Sequence, residues 1–166
     1  MEGASEQRVR AAVGPRADYY VGRWAAMDAS GRTVSWNWAA CLANAFWLAW
    51  RKMWVVLVLF ILANVAIALA GAAFPLIGRY AHLPMIGLTF VTGAWGNLFY
   101  RRKVDRLVAD AAGLGEEAAL ERLRRRGGTS PLALAVALAL TLAGGALLVR
   151  QAMEQMRAGP QAGARG

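Results

Sequence analysis

An all-α integral membrane protein is the fold class this sequence predicts, and three observations predict it. The 166 residues are 58% hydrophobic and only 17% charged, with a mean hydropathy of +0.36. The apolar residues come in uncharged blocks at 53–74, 83–100 and 131–149, each close to the length that crosses a bilayer as a helix. The charges lie between the blocks, 19 Lys+Arg against 10 Asp+Glu, so basic and apolar character do not compete within one segment. The length allows one domain of ordinary size. The expected organisation is an N-terminal segment 1–35, a membrane domain 36–149 and a flexible tail 150–166.

Residues 1–16 are polar, small and punctuated by Pro and Gly, which predicts a mobile start. In ADYYVGRWAAMDASG, 17–31, Asp18 can cap a short amphipathic helix that Gly31 stops. Tyr20, Trp24 and Met27 recur at spacings of four and three and form one apolar stripe, to lie on the membrane or on the rest of the protein. Nothing in the first 35 residues has the apolar core of a secretory signal, so insertion is expected to use an internal span.

SWNWAACLANAFWLAWRKMW, 35–54, holds five of the seven tryptophans. Its apolar run reaches only about 23 Å as a helix before Arg51-Lys52, short of a bilayer core. Carrying those two charges into hydrocarbon would cost at least about 2.5–3.5 kcal/mol each. The economical reading leaves them at a membrane surface, with 36–52 as an interfacial or re-entrant helix. Indole rings favour the headgroup region, so Trp36, Trp38, Trp47, Trp50 and Trp54, with Arg51 and Lys52, are the expected membrane anchor. An aromatic ligand cage is the weaker alternative.

The span 53–74 has 22 uncharged residues and ends at Pro75; at 1.5 Å per residue it reaches about 33 Å. The span 83–100 is stopped by Arg101-Arg102-Lys103. Its small and polar residues Thr89, Gly93 and Asn97, with the parallel row Thr92, Gly96 and Tyr100, read as a packing seam between helices. Asn64 is expected to add a hydrogen bond of the same kind. The segment 101–130 is expected to be a basic loop carrying a helix from Glu116 to Arg126, with acidic residues in its first turn and basic ones in its last. Ser130 then caps and Pro131 opens the span 131–149. The tail, ending in AGPQAGARG, is expected to be disordered at its tip.

The run NWAACLANAFWLAWRKMW resembles the signature of a family of small bacterial membrane proteins, domain of unknown function 2628. Asn37-Trp38-Ala39-Ala40 and Trp50-Arg51-Lys52-Met53-Trp54 carry the match, and VGPRADYY at 13–20, GNLFY at 96–100 and RGGTS at 126–130 are similar in the same order. The sequence departs from the family at Ala43-Asn44-Ala45, where an aromatic-Gly-Pro is usual. Asn tolerates unusual backbone angles, so a break at Asn44 and a continuous helix through 36–52 both stay open. The resemblance implies a multi-pass inner-membrane protein of bacteria and no established activity, catalytic residue or cofactor.

Basic residues mark the cytoplasmic side of a membrane protein. Residues 101–126 hold eight Lys/Arg and the connection 75–82 holds one, Arg79. This puts the N-terminus and 101–130 in the cytoplasm and, after three spans, the C-terminus outside. Arg150, Arg157 and Arg165 argue mildly against that last placement.

Signs of chemistry are scarce. One cysteine and one histidine, Cys41 and His82, allow no internal disulfide and no histidine-pair metal site. Metalloprotease, nucleotide-binding and hydrolase-elbow motifs are missing, and no span carries an acidic residue. Arg101, Arg102, Lys103, Arg122, Arg124, Arg125 and Arg126 read first as a solvated charge run that orients the chain, then as contacts to anionic lipid headgroups. Nucleic acid is not an expected partner, because no aromatic residue interleaves these arginines. The expected role is non-enzymatic and cofactor-free: a membrane-embedded structural or interaction subunit whose partners are lipids, itself or other membrane proteins. The alternative is a small transporter or channel component, with Asn64, Asn97, Thr89 and Thr92 lining a polar path through an oligomer.

Overall fold

The computed structural model describes residues 2–158, and among them every regular element is a helix. In chain order these are α1 (Glu2–Val13), α2 (Ala17–Ser30), α3 (Trp38–Trp50), α4 (Trp54–Ala73), α5 (Pro75–Tyr80), α6 (His82–Asp110), α7 (Glu116–Arg126) and α8 (Pro131–Ala158). The helix α6 is the spine. α3 packs along its middle, α2 and α1 pack on it beyond that, and α7 closes over α1.

Several expectations hold in detail. The stripe Tyr20, Trp24 and Met27 on α2 is buried, and it lies on the protein. Gly31 ends α2 with a left-handed φ of 62°, donating to the carbonyls of Asp28 and Met27. The Ser130 hydroxyl accepts from Ala133 N at 3.1 Å, so the first turn of α8 is capped as its sequence implies.

Others are corrected. Residues 2–13 form a helix because α7 gives them a surface. Ala12 and Val13 are fully buried, Arg8 pairs with Glu116 at 2.6 Å, and Gly128 N donates to Ala12 O at 2.8 Å. Asp18 does not cap α2; Arg16 occupies that position without a side-chain bond, and Asp18 pairs with Arg10. The basic triplet 101–103 does not end α6, which runs on to Asp110, so the first part of the expected loop 101–130 is helix. α8 likewise continues past Arg150 to Ala158, stabilised by an Arg150–Glu154 pair one turn apart. The tip of the tail, 159–166, lies outside the described residues.

Among the described residues two helical runs, not three, are long and apolar enough to cross a membrane. One is α4. The other lies in the run Glu116–Met156 that α7 and α8 make together, and its uncharged part is 131–149. The block 83–100 falls short because glycines, threonines, Asn97 and Tyr100 dilute its apolar character. Thr92, Gly93, Gly96, Asn97 and Tyr100 are buried against the rest of the protein.

Candidate functional site

The most extensive helix contact, α3 on α6, builds the site. An added Cβ on Gly93 would stand 2.8 Å from the Cys41 Cβ, and one on Gly96 would stand 2.9 Å from the Ala40 Cβ. Two glycines one turn apart therefore let α3 lie directly on α6. That approach brings Asn37, immediately before α3, against Asn97 in the middle of α6.

Both asparagines are buried, and their bonds are made. Asn37 Nδ2 donates to Asn97 Oδ1 at 2.8 Å, while Asn37 Oδ1 caps α3 by accepting from Ala40 N at 3.0 Å. Asn97 Nδ2 donates to the carbonyl and the hydroxyl of Ser35, at 3.1 and 3.0 Å. Trp24 Nε1 reaches in from α2 to the Asn97 carbonyl at 3.0 Å. The extended residues 35–37 are further fixed by Ser35 N and Asn37 N, which donate to Ala94 O and Gly93 O.

One turn farther along α6, Tyr100 is fully buried and faces Arg51 at the end of α3. Arg51 is itself only 3% exposed. Its guanidinium lies 4.5 Å from the Tyr20 ring centre and 5.0 Å from that of Tyr100, and one Nη donates to Val13 O and to the Tyr100 hydroxyl at 3.3 Å. No salt bridge reaches it from the described residues, and its Nε has no acceptor. Aromatic faces and a carbonyl hold this cation where a carboxylate usually would. Lys103 adds a further tie, donating to the Arg51 carbonyl at 2.6 Å. Burial, then the nearby charges of Lys52 and Arg51, push the Lys103 ammonium down to about 8.

The expected anchor residues do not share one face. Trp38 and Trp54 are exposed, Trp47 is buried beside Tyr100, and Trp36 and Trp50 are half-buried. The chain leaves helical angles at Asn44 (φ 11°, ψ −91°), so α3 is kinked there; Trp38 and Trp47, nine residues apart, stand on opposite faces by helical spacing alone. Arg51 is in the core and not at a surface, because Tyr20 and Tyr100 enclose it. Lys52 reaches Arg125 O at 3.1 Å.

Among the expected packing residues, Gly93, Gly96 and Asn97 meet α3. Asn64 instead donates to Phe60 O in its own helix, so it is not a bond between helices. Thr89 and Thr92 likewise bond back to Ile86 O and Leu88 O, and none of these three side chains bonds another. Among the basic residues, Arg101 is bidentate to Asp28 at 2.6 and 2.9 Å, which holds the Asp28 carboxyl below the usual carboxylate range. Arg102, Arg122, Arg124, Arg125 and Arg126 are exposed.

The family model described as a protein of unknown function (DUF2628) matches residues 6–106. The chain belongs to that family. The DUF2628 region runs from α1 into the second half of α6 and contains the whole Asn37–Asn97 and Arg51–Tyr100 arrangement; α7 and α8 lie beyond it. No curated protein and no solved structure matches the chain.

Sequence reading missed Ser35, Asn37, Trp24 and Tyr20 as partners of the seam. Asn37 carried a usable signal, an N-cap residue type directly before an apolar helix. The burial of Arg51 carried none, since its two rings come from segments 31 and 49 residues away.

Proposed function

We propose that this DUF2628 protein is a multi-pass protein of the bacterial inner membrane, acting without catalysis as a structural or interaction subunit. One observation carries the reading: not one residue in either apolar window is buried. A soluble protein buries its most apolar helices, because each Å² of apolar surface left in water forgoes roughly 25 cal/mol. α4 and α8 leave most of theirs open, although Val56, Leu57 and Phe60 at the start of α4 rest on the core, and this suits helices solvated by hydrocarbon.

Chain direction supports a return crossing. Ser130 N donates to Trp50 O, so α4 and α8 set out from the same end of the protein. If α4 crosses, the 82–100 part of α6 must bring the chain back, with its polar side sheltered against α3. The N-terminus and the basic residues at 101–126 then lie in the cytoplasm and the end of α8 lies outside. The wedge between α4 and α8, lined by Phe46, Leu57, Ile61, Val136 and Leu140, is suited to acyl chains.

Alkaline extraction of membranes from expressing cells tests this reading. The protein is expected to stay with the membrane pellet and to need detergent for release. A monodisperse chain in detergent-free buffer would overturn it.

A further inference from the structure

The start of α4 and the second half of α6 frame a basic surface. A pocket of about 440 Å³ opens there, a volume typical of small-molecule sites. Lys52, Arg102, Lys103 and Arg106 line it, and no carboxylate does. Arg101, one residue away, is already matched by Asp28. Lys103 is partly buried and uses one donor on the Arg51 carbonyl, which leaves two N–H groups free to point elsewhere.

A second, independent feature meets these cations. The first turn of α4, Trp54 to Val56, forms part of the pocket wall, and its N-cap position, Met53, supplies no side-chain bond. The first turn of a 20-residue helix, with the positive end of its dipole, therefore borders the same space. The remaining wall is greasy: Val55, Leu59 and Phe99 continue the pocket into the open apolar surface of α4.

We propose that this pocket binds an anionic phospholipid, with its phosphate at the first turn of α4 among Lys52, Arg102, Lys103 and Arg106 and an acyl chain along Val55 and Leu59. The cations without a facing carboxylate favour an anion, and the apolar wall favours one that carries a hydrocarbon chain. A bound phosphate also supplies the countercharge that Lys103 lacks among its neighbours. The assignment rests on the membrane reading above and deepens it.

The test uses the full chain in a neutral detergent, titrated with phosphatidylglycerol, with phosphatidylcholine of the same acyl chains, and with inorganic phosphate. Bound lipid is counted by native mass spectrometry, and Tm is followed in parallel. Phosphatidylglycerol is expected to bind and raise Tm. The exposed pair R102Q/R106Q should weaken it roughly ten- to thirty-fold at about 1 kcal/mol per cation. The charge-matched control R122Q/R124Q, on α7 and outside the pocket, should shift binding less than about two-fold. Equal losses in both pairs, or equal binding of phosphatidylcholine, would overturn the site in favour of diffuse attraction. Inorganic phosphate matching phosphatidylglycerol would overturn the lipid and leave a plain anion site. Detergent-free solubility, read before any lipid is added, would instead sink the membrane reading itself.

Discussion

The guanidinium of Arg51 stands over the Tyr20 ring, 4.5 Å from its centre, although the two residues lie 31 positions apart in the chain. A desolvated cation–π contact of this kind is worth about 2 kcal/mol or more, and the Arg51 bonds to Val13 O and the Tyr100 hydroxyl add to it. Arg51→Ala is expected to lower stability by about 2–4 kcal/mol. Arg51→Lys should recover little of that, because one compact ammonium cannot lie against the Tyr20–Tyr100 pair and also reach the Val13 carbonyl as the broad guanidinium does. Chemical unfolding in detergent measures both; a fully stable R51K protein would contradict the stacking account.

Gly96→Ala is expected to destabilise by about 1–3 kcal/mol, since its new methyl must displace Ala40. Adding Ala40→Gly removes the opposing Cβ and should restore part of the loss. Gly144→Ala on α8, with nothing within 4 Å, should be neutral or slightly stabilising. Thermal melts of the three variants decide whether contact, and not helix propensity, makes the difference.

Asn97→Leu and Asn64→Leu should behave in opposite ways. Loss of the Asn97 side chain leaves the Asn37 Nδ2 donor and the Ser35 acceptors without their partner, at about 1–3 kcal/mol each where water cannot replace the bond. Trp24 keeps its bond to the backbone carbonyl of residue 97. Asn64 serves only Phe60 O in its own helix, so N64L should fold and melt like the parent. Comparable damage from both would return Asn64 to a role between helices.

Lys103 makes stability depend on pH in a defined direction. Its folded value, about 8, lies below the ordinary 10.5, so between those limits the unfolded chain holds more protons than the folded one. Stability should therefore rise as pH increases from 8 towards 10. Lys103→Met should flatten that rise. A wild-type Tm that falls over this window while K103M stays level would reverse the assignment.

Brominated lipids quench indoles that sit in the bilayer. Trp38 and Trp54 are 66% and 52% exposed, against 5% for Trp47. Removing either of the first two as Phe should reduce the quenchable fluorescence, whereas Trp47→Phe should leave it unchanged. Quenching that depends on Trp47 would mean the seam around Tyr100 opens in lipid.

What could be read in the sequence was local. The stripe on α2, the charge gradient that marks α7 and the Ser-Pro start of α8 are each settled within a few residues, and each stands as expected. What escaped was decided at long range. The helix α1 has little apolar character of its own, and is ordered by α7 and Gly128, more than a hundred residues later. Arg101 looked like a stop signal until Asp28, 73 residues away, turned out to hold it on a continuing helix. The glycine pair 93 and 96 could be seen as a seam, but its opposite side, Ala40 and Cys41, lay in a stretch whose tryptophans drew attention to lipid.

The clasp between Gly128 and Ala12 sets an order of events during synthesis. A Cβ on Gly127 would collide with Ala12 O, and Gly128 holds a left-handed φ of 62°, so only this glycine pair lets the two segments meet. The first helix emerges early from the ribosome, yet its docking partner does not exist until more than a hundred further residues are made. At about 5–20 residues per second, that leaves α1 without its mate for roughly 6–23 s, while α4 and α6 are already being delivered. Closure of the molecule therefore waits on residue 128, and a chain released before that point would carry an orphan first helix.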